Sequence, residues 1–447
     1  MPYGVPMCDG VTQSEPIAAI ATAPGVGGIA VLRMSGDGVY AIADALTRLR
    51  VPPSQRAAGT FVHAELFDAG GQLLDDALVL CFRAPHSYTG EDTVELQLHG
   101  GRVVSEQVLE CVWALGARPA APGEFTKRAF LNGRLDLTQA EAVADVIAAR
   151  SPRAERCARA ALNGRLGTAL SPLYEATLAL SVQTEHLLDF DEGELPERFF
   201  VETRERLAQI VQRISALLAT WHEGRLLREG ARVVLAGKPN AGKSSLLNLL
   251  LGYNRAIVSA EAGTTRDSIE ETFLVDGVPI RLIDTAGLRE TACAIENEGV
   301  DRTRALLAEA DAVLYLIAVD DSDTAPEGAT VLHTKGDLCP ERCDTLSVLT
   351  APDVARAQVC AKLREILRLE AGETDSATLA TSRQFSELST AATALGAAEE
   401  ALARGEMGYV PAAQQLRDGA EALGRILGRT YSEDLLERVF STFCVGK

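Results

Sequence analysis

Short apolar runs broken by turn residues characterise the first 128 residues of the chain. Runs of four to eight residues rich in Val, Ile and Leu are typical of strands, and the sequence Pro24-Gly25-Val26-Gly27 is typical of a turn. A stretch with 3.6-residue spacing within the same part favours a helix. This part is therefore predicted to be an α+β domain. The predicted strands are 17–21, 28–34, 77–82 and 94–99, and the predicted helix is 103–115.

Beyond residue 135 the apolar spacing changes to a period of 3.6 residues. An apolar stripe at i, i+3, i+4 and i+7 runs from Leu207 to Trp221, and similar spacing recurs near the C-terminus. Between these helical parts, the stretch 231–369 alternates strand and helix signals, which is the pattern of a doubly wound α/β domain. The order predicts an α/β domain inserted in an all-α domain. The C-terminal helices are predicted at 386–403, 412–427 and 434–443.

Composition excludes several classes of protein. The 447 residues carry a formal charge of −19, which argues against simple electrostatic capture of nucleic acid. No uncharged apolar run reaches the ~18 residues that a membrane helix needs, and the N-terminus lacks the pattern of a signal peptide. The nine cysteines are scattered and odd in number, which favours free thiols. We therefore expect a cytoplasmic protein with no membrane association.

One basic stretch departs from the acidic average. Five arginines lie at near-helical spacing between residues 150 and 165, with a single glutamate among them. The stretch is either a solvated helix face or a stripe that contacts phosphates. The arginines are Arg150, Arg153, Arg156, Arg159 and Arg165.

A phosphate-binding loop is predicted at Gly237-Lys238-Pro239-Asn240-Ala241-Gly242-Lys243-Ser244. The sequence matches G-x4-G-K-[ST] and lies between a buried strand and a helix. Its glycines allow backbone N–H groups to face phosphate oxygens, Lys243 supplies a charge to the outer phosphates, and the Ser244 hydroxyl is suited to Mg²⁺. Residues Asn240, Ala241, Gly242, Lys243, Ser244 and Ser245 are predicted to bind the nucleotide.

Further motifs follow in the order found in GTPases. Thr265, in Gly263-Thr264-Thr265-Arg266-Asp267, is the predicted switch-loop ligand of Mg²⁺. A strand at 280–283 ends in Asp284-Thr285-Ala286-Gly287, with Asp284 behind the metal and the Gly287 N–H toward the γ-phosphate. A strand at 329–333 ends in Thr334-Lys335-Gly336-Asp337, where the aspartate accepts both N–H groups of the guanine edge. Thr350 and Ala351 are weaker candidates for contact with the base.

Two residues depart from the usual GTPase pattern. Leu288 follows the Asp-Thr-Ala-Gly motif, where many switch GTPases have the glutamine that positions water, so another group must do this. The candidates are the downstream acidic residues Glu290, Glu296 and Glu298. Thr334 stands where guanine-specific sites usually have Asn. Because threonine is shorter and has no amide, we predict weaker GTP affinity, with guanine preference kept through Asp337.

Motifs at both ends and in the middle of the chain resemble the MnmE (TrmE) tRNA-modification GTPases. The resemblance runs from about residue 16 to the final lysine, and the C-terminal Phe443-Cys444-Val445-Gly446-Lys447 is its most distinctive part. It implies an N-terminal tetrahydrofolate-binding and dimerising domain, then a helical domain with the GTPase domain inserted in it. Other matching segments are 29–36, 90–98, 122–137, 263–267 and 284–290. The implied domains are 1–128, 129–228 with 370–447, and 229–369 for the GTPase.

The resemblance also implies cofactors and partners. Members act as homodimers and with MnmG, a partner that carries FAD, to build an aminomethyl-type group, commonly carboxymethylaminomethyl, on C5 of the wobble uridine (U34). A tetrahydrofolate derivative, 5-formyl or 5,10-methylene, supplies the one-carbon unit. The acidic balance suggests that the partner makes most contacts with tRNA. The folate site carries over to Arg33, Glu95, Arg134 and Lys447, with Arg134 in place of the family's usual lysine. Cys444 has an open role in the chemistry.

The same resemblance implies a binding site for potassium. Members resemble GTPases in which a K⁺ ion, bound as two GTPase domains face each other, replaces an arginine finger. The matching ligands here are Asn240, with Ser259, Glu261 and Thr264 of the following loop, and the water-orienting glutamate matches Glu296. Without the resemblance, Glu296 reads as a surface carboxylate.

Two other functions fit part of the sequence. A ribosome-assembly GTPase of the Era or Der type shares the nucleotide motifs, but it would need a basic RNA-binding module that the acidic C-terminal helices do not resemble. A folate-dependent aminomethyl transferase with a regulatory GTPase would share the folate residues, and loss of the wobble modification on gene removal separates it from the tRNA-modification GTPase.

Overall fold

The computed structural model describes residues 15–187, 197–252, 271–284, 310–339, 345–369 and 376–447. The chain divides into two compact units. One comprises Met1–Ala144 with Leu427–Lys447, and the other comprises Asp145–Ile426.

The first unit is built on a six-stranded sheet with the order β3-β4-β5-β2-β1-β6. Its pairings are antiparallel except β1 with β6, which is parallel. Apolar side chains at alternate strand positions form one core with those of two helices, and this core includes Leu32, Leu66, Leu96 and Val108. The strands are β1 (Ile17–Ile20), β2 (Ile29–Ser35), β3 (Thr60–Phe67), β4 (Leu73–Phe82), β5 (Thr93–His99) and β6 (Arg118–Pro119).

The helices of this unit include the chain's C-terminal one, which packs on an N-terminal helix. Gly123 lies at this contact, and a Cβ there would meet the carbonyl oxygen of Phe440 at 2.7 Å. The terminal residues are held as well, because the Phe125 N–H donates to the carbonyl of Lys447 at 3.2 Å. The helices are α1 (Val39–Thr47), α2 (Arg102–Ala114), α3 (Glu124–Leu131) and α13 (Glu433–Phe440), and α4 (Leu137–Ala148) and α12 (Tyr409–Leu427) reach the unit's boundaries.

The second unit contains a second six-stranded sheet with the order β12-β11-β10-β7-β9-β8. All pairings are parallel except the hairpin of β8 with β9. Continuous apolar sequence, such as Val233, Val234 and Leu235, suits strands covered on both faces. The strands are β7 (Ala231–Gly237), β8 (Glu271–Val275), β9 (Val278–Asp284), β10 (Ala312–Ala318), β11 (Thr330–Thr334) and β12 (Thr345–Leu346).

Helices precede and follow this sheet along the chain. Helix α11, which follows the sheet along the chain, packs against α7, which precedes the sheet. Thr381 begins α11 with a capping box in which its side chain and that of Gln384 each accept a backbone N–H. The helices are α5 (Pro152–Leu162), α6 (Arg165–Leu187), α7 (Glu197–Ala219), α8 (Trp221–Glu229), α9 (Lys243–Leu251), α10 (Pro352–Ile366) and α11 (Ser382–Leu402).

Candidate nucleotide and folate sites

The predicted phosphate-binding loop lies at the carboxyl end of β7. This strand is central in its sheet, with β9 and β10 parallel on its two sides. Ligands of open α/β sheets bind at the carboxyl ends of such strands. Gly237 allows close packing here, because a Cβ at this position would lie 2.4 Å from the carbonyl oxygen of Leu316. Asn240 and Gly242 both have positive φ, at 64° and 91°, so the loop turns back before α9 begins at Lys243.

Lys243 is buried, with 7% of its surface exposed. Its Nζ donates hydrogen bonds to the carbonyl oxygens of Gly237 and Lys238, each at 2.8 Å. The ammonium group therefore lies inside the loop, at the N-terminus of α9, where backbone N–H groups and the helix dipole favour an anion. This arrangement is suited to the phosphates of a nucleotide.

Thr334 joins the end of β11 to this loop. Its Oγ1 donates a hydrogen bond to the carbonyl oxygen of Ala241 at 2.7 Å, and the side chain is buried. The sequence pattern had indicated only a shorter side chain than asparagine at this position. The contact shows that the threonine hydroxyl links the two loops.

The predicted guanine-recognition segment follows Thr334 directly. Lys335 is left-handed, with φ 59°, and a short 3₁₀ turn, Gly336–Leu338, carries the half-buried Asp337. Gly336 packs so closely on the next strand that a Cβ would lie 2.5 Å from Thr345 Oγ1. Thr350 is exposed and Ala351 precedes α10, one strand further along the same edge. The fold therefore brings these residues to the same sheet edge as the phosphate-binding loop.

Lys238 is a residue of this region whose role the motif did not indicate. Its Nζ lies 2.9 Å from Asp321 Oδ1 and 3.5 Å from Asp323 Oδ1, in the segment after β10. The hydrogen bond to Asp321 and the charges of Asp321 and Asp323 raise the pKa of Lys238, and Tyr315 donates a hydrogen bond to Asp323 at 2.8 Å. No sequence signal connects a lysine with acids more than 80 positions away.

Several predicted site residues lie outside the described residues. They are Ser259, Glu261, Thr264, Thr265, Thr285, Ala286, Gly287 and Glu296. Asp284 ends β9 beside β7, so its backbone is at the same sheet edge as the loop.

The first unit brings together three of the four predicted folate residues. Arg33 of β2 and Glu95 of β5 are opposite each other across the strand pair, and Arg33 Nε lies 2.7 Å from Glu95 Oε1. Burial and the charge of Arg33 lower the pKa of Lys447, while Glu95 acts in the opposite direction. The guanidinium of Arg33 also lies 5.2 Å from the ring centre of Tyr88, an aromatic neighbour that the sequence did not indicate.

Arg134 and Cys444 are exposed, whereas these three residues are half-buried. Arg134 is exposed, and its Cγ lies close to Gly90, where a Cβ would be 3.3 Å away. Cys444 is an exposed free thiol, and its carbonyl accepts the Gly123 N–H at 3.4 Å. Within the described chain, the other cysteines, Cys81, Cys111, Cys157, Cys339 and Cys360, are also free, as expected for thiols outside a disulfide framework.

The arginine stretch is not a uniform surface stripe. Arg153 of α5 is buried; it forms an ion pair with Glu223 and donates to the carbonyl of Asp276 at 3.2 Å. Arg150, Arg156, Arg159 and Arg165 are exposed. Arg153 is therefore a packing residue. It belongs neither to a solvated helix face nor to a stripe that contacts phosphates.

Matches to known proteins extend over nearly the whole chain. Residues 16–134 match the family model of the GTP-binding protein TrmE N-terminus, and residues 137–444 match that of the MnmE helical domain. The tRNA modification GTPase MnmE of Alkalilimnicola ehrlichii is 43% identical over 445 residues, with 96% of this chain and 99% of that protein covered. The protein of the same name from Ralstonia nicotianae is 41% identical over 465 residues, with 97% of each covered.

The chain belongs to the MnmE family of tRNA modification GTPases. It is thus an enzyme of the GTPase class with a TrmE N-terminal domain and an MnmE helical domain. A ribosome-assembly GTPase would share only the central motifs, whereas the matches to MnmE proteins extend over both outer parts of the chain.

Among solved structures, the G domain of the T. maritima FeoB iron transporter is 21% identical, covering 31% of this chain and 96% of that one, with a TM-score of 0.19. In the part of this MnmE-family chain that the structure describes, no helix is sufficiently long and apolar to span a membrane.

Proposed function

We propose that the chain binds and hydrolyses GTP with Mg²⁺, and that it uses this cycle to modify the wobble uridine of tRNA together with an FAD-dependent MnmG partner. The observation that carries the nucleotide part is the buried Lys243, whose Nζ bridges two loop carbonyls at the central strand's end. Membership of the MnmE family supports the tRNA part.

Residues of the loop and its neighbours supply the phosphate chemistry in this proposal. The N-terminus of α9 and Lys243 hold the phosphates, and Ser244 with Thr265 would hold Mg²⁺. Bound Mg²⁺ neutralises charge between phosphates. Gly242 fits a phosphate cradle, because the closest atom that its Cβ would meet lies 3.7 Å away, on Thr334, and φ is positive. Asp284, Thr285, Ala286 and Gly287 would also contribute to the nucleotide site.

Asp337 selects guanine in this proposal. Its carboxylate accepts two N–H groups of the guanine edge, and adenine does not offer this pair. Each charged hydrogen bond is worth ~1.5–3 kcal/mol, so losing the pair is enough to select GTP over ATP. Lys335, Thr350 and Ala351 border the base from the same sheet edge.

Leu288 stands where many GTPases have a glutamine, and leucine cannot orient water. Catalysis therefore needs other groups, and we propose a potassium ion as one of them. Asn240 would provide a side-chain ligand, with Ser259, Glu261 and Thr264 from the following loop. Asn240 has a positive φ of 64°, in keeping with a turn that exposes polar groups. A cation supplies charge that offsets the negative charge of the transition state, a contribution of ~10³–10⁵ in rate when an arginine makes it. Glu296 would orient the water.

The first unit is proposed to bind a tetrahydrofolate derivative, 5-formyl or 5,10-methylene. Glu95 suits the N–H donors of a pterin ring, and Arg33, Lys447 and Arg134 suit its anionic tail. The fit is supported by the half-buried ammonium of Lys447, which has a lowered pKa because of burial and the charge of Arg33. A carboxylate arriving beside both cations would relieve this repulsion.

The proposed architecture is a GTPase domain at 229–369 inserted in a helical domain of 129–228 and 370–447, after an N-terminal domain of 1–128. The packing of α11 on α7, from opposite sides of the sheet segment, supports the insertion. We further propose a cytoplasmic homodimer that assembles with MnmG into a heterotetramer. The partner makes most contacts with tRNA, in keeping with the charge of −19.

Three measurements test the proposal. GTP turnover by the full-length protein is measured in K⁺ and in Na⁺; a steep rise in K⁺ is expected, and equal rates would remove the potassium mechanism. Mass spectrometry of wobble nucleosides in a deletion strain, complemented by the wild-type gene or by Lys243→Ala, tests the tRNA role. An unchanged wobble nucleoside after deletion would refute the assignment, and absence of magnesium-dependent guanine-nucleotide binding would refute the GTPase site.

A further inference from the structure

A cluster of histidine and aspartate side chains lies on the sheet of the first unit. Asp75 and Asp76 are in β4, His99 ends β5, and His63 is in β3, so the cluster joins three neighbouring strands. One ligand atom each from Asp75, Asp76 and His99 lies within 4.8 Å of the other two. Neither the nucleotide nor the folate proposal uses any of these residues.

Hydrogen bonds keep the ligand atoms of the cluster close together. His99 Nδ1 lies 2.7 Å from Asp75 Oδ1 and 3.7 Å from Asp76 Oδ1. Asp75 is fixed further, because its Oδ2 accepts the backbone N–H of His99 at 2.9 Å and its side chain is only 7% exposed. His63 Nε2 lies 2.9 Å from Asp76 Oδ2. Each ligating side chain therefore already has a partner that orients it.

We propose that Asp75, Asp76 and His99 bind a divalent transition-metal ion of the Zn²⁺ class, with His63 as the outer hydrogen-bond partner that orients Asp76. The chemistry of the donors supports this class, because an imidazole with two carboxylates suits zinc and its neighbours, whereas Mg²⁺ and Ca²⁺ prefer oxygen alone.

The dimensions support the same ion. Bonds of about 2.1 Å around a tetrahedral ion place its ligand atoms about 3.4 Å apart. The separations of His99 Nδ1 from Asp75 Oδ1 and Asp76 Oδ1, 2.7 and 3.7 Å, bracket that value, so the ion would replace the hydrogen bond between His99 and Asp75 with only a small rotation of these side chains. On binding, the ring hydrogen of neutral His99 moves to Nε2, and Nδ1 offers its lone pair. Three protein ligands leave a fourth position for water.

Charge and exposure also favour a cation. With neutral histidines the cluster carries two negative charges close together, and a divalent ion neutralises them. His99 and Asp76 are 67% and 51% exposed, so an ion reaches the cluster from solvent without any opening of the fold. A bound ion would connect β4 and β5 where β5 ends, before the turn at Gly100, and we expect it to stabilise this end of the sheet.

Titration of the full-length protein with Co²⁺, in excess Mg²⁺, tests the proposal. Excess Mg²⁺ keeps Co²⁺ from the nucleotide site, and Co²⁺ gives absorption bands that report its ligands. We expect one site with weak visible bands of nitrogen and oxygen ligation. An intense near-ultraviolet thiolate band with no such site would overturn the proposal, since it would assign the binding to cysteines.

Substitutions in the cluster test which residues bind the metal ion. Asp76→Asn should weaken Co²⁺ binding by about 100-fold or more, and His63→Gln by about tenfold, the effect typical of an outer partner. Glu106→Gln removes an exposed carboxylate of the same unit, 53% exposed and paired with Arg102, and should change nothing. Zn²⁺ should raise the melting temperature of the wild type and of Glu106→Gln, but not of Asp76→Asn. Wild-type affinity in Asp76→Asn, or equal losses in both carboxylate variants, would overturn the assignment.

Discussion

Thr334 Oγ1 donates a hydrogen bond of 2.7 Å to the carbonyl oxygen of Ala241. The donor ends β11, in the segment proposed to recognise guanine, and the acceptor lies in the phosphate-binding loop. Both residues are buried, with 2% and 4% of their surfaces exposed. A single hydroxyl therefore fixes the distance between the two loops that would hold opposite ends of one nucleotide.

Replacing Thr334 by valine keeps its shape and removes this donor. The Ala241 carbonyl then loses a buried partner at a cost of ~1–2 kcal/mol, so we expect guanine nucleotide to bind about tenfold more weakly. Thr334→Asn restores the side chain usual at this position, and we expect tighter binding than in the wild type. Titration with a fluorescent GDP measures both. Thr330→Val, earlier on the same strand, is the control, and an unchanged Kd in Thr334→Val would contradict the link.

Gly237→Ala should disrupt the nucleotide site through the backbone. The added Cβ would lie 2.4 Å from the carbonyl oxygen of Leu316, which forces β7 and β10 apart, and φ is 138°. We expect a loss of about 2–4 kcal/mol in unfolding free energy, with loss of nucleotide binding. Urea denaturation measures the stability.

Gly328→Ala is the matched control for this change. Gly328 also has a positive φ, 81°, but nothing lies within 4 Å of its added Cβ. The control therefore carries the conformational strain without the collision. Equal destabilisation in the two variants would show that the contact with Leu316 has no role.

Elements with strong local signals were predicted well from the sequence. The apolar run before Gly237 is β7, and the helix after it begins at Lys243. β3 was missed because apolar and polar residues alternate only over 63–66, with Ala64 and Leu66 buried and His63 and Glu65 exposed. Alternation in such a short stretch gives a weak signal.

Contacts between distant segments could not be predicted. The sequence indicated that Thr334, Lys243 and Asp337 belong to one site, but not that Thr334 bonds to Ala241. The near-helical spacing of the arginines predicted a surface position for Arg153. Arg150 and Arg156 are exposed, but Arg153 is buried, and its partner Glu223 lies 70 positions away. Spacing gives the face of a helix, whereas burial of a charge depends on tertiary neighbours. The folate residues and the potassium ligands came from resemblance alone.

Glu223→Gln should destabilise the second unit. Its carboxylate neutralises Arg153, whose side chain is only 7% exposed, whereas Glu223 itself is 32% exposed. Breaking a fully buried pair costs ~3–5 kcal/mol, and partial solvent screening reduces the expected loss to about 2 kcal/mol. Urea unfolding followed by circular dichroism measures it.

Glu155→Gln is the control on the same helix as Arg153. Glu155 pairs with Arg159, which is 61% exposed, four positions along α5. Such exposed pairs contribute about 0.3–0.5 kcal/mol, so the control should unfold almost as the wild type does. Equal losses in the two variants would contradict the burial argument.

The carboxylate of Glu124 makes the folding stability of the first unit depend on pH. Burial acts to raise its pKa, but hydrogen bonds from Arg118, the Ala121 N–H and Arg128 outweigh burial and lower the pKa from 4.5 to about 2. A carboxylate with a lowered pKa stabilises the folded state fully above its unfolded pKa. That contribution is lost as the pH falls from about 4.5 to about 2.

Glu124→Gln should therefore cost about 3 kcal/mol at pH 7, with a penalty that shrinks as the pH falls below 4.5. The side chain is 13% exposed, so solvent screening leaves most of this effect. Urea denaturation of both proteins between neutral pH and pH 3 measures the difference, with Glu106→Gln as the exposed control. A penalty that stays constant over this range would mean that Glu124 acts through packing, because only an ionised carboxylate loses its contribution on protonation.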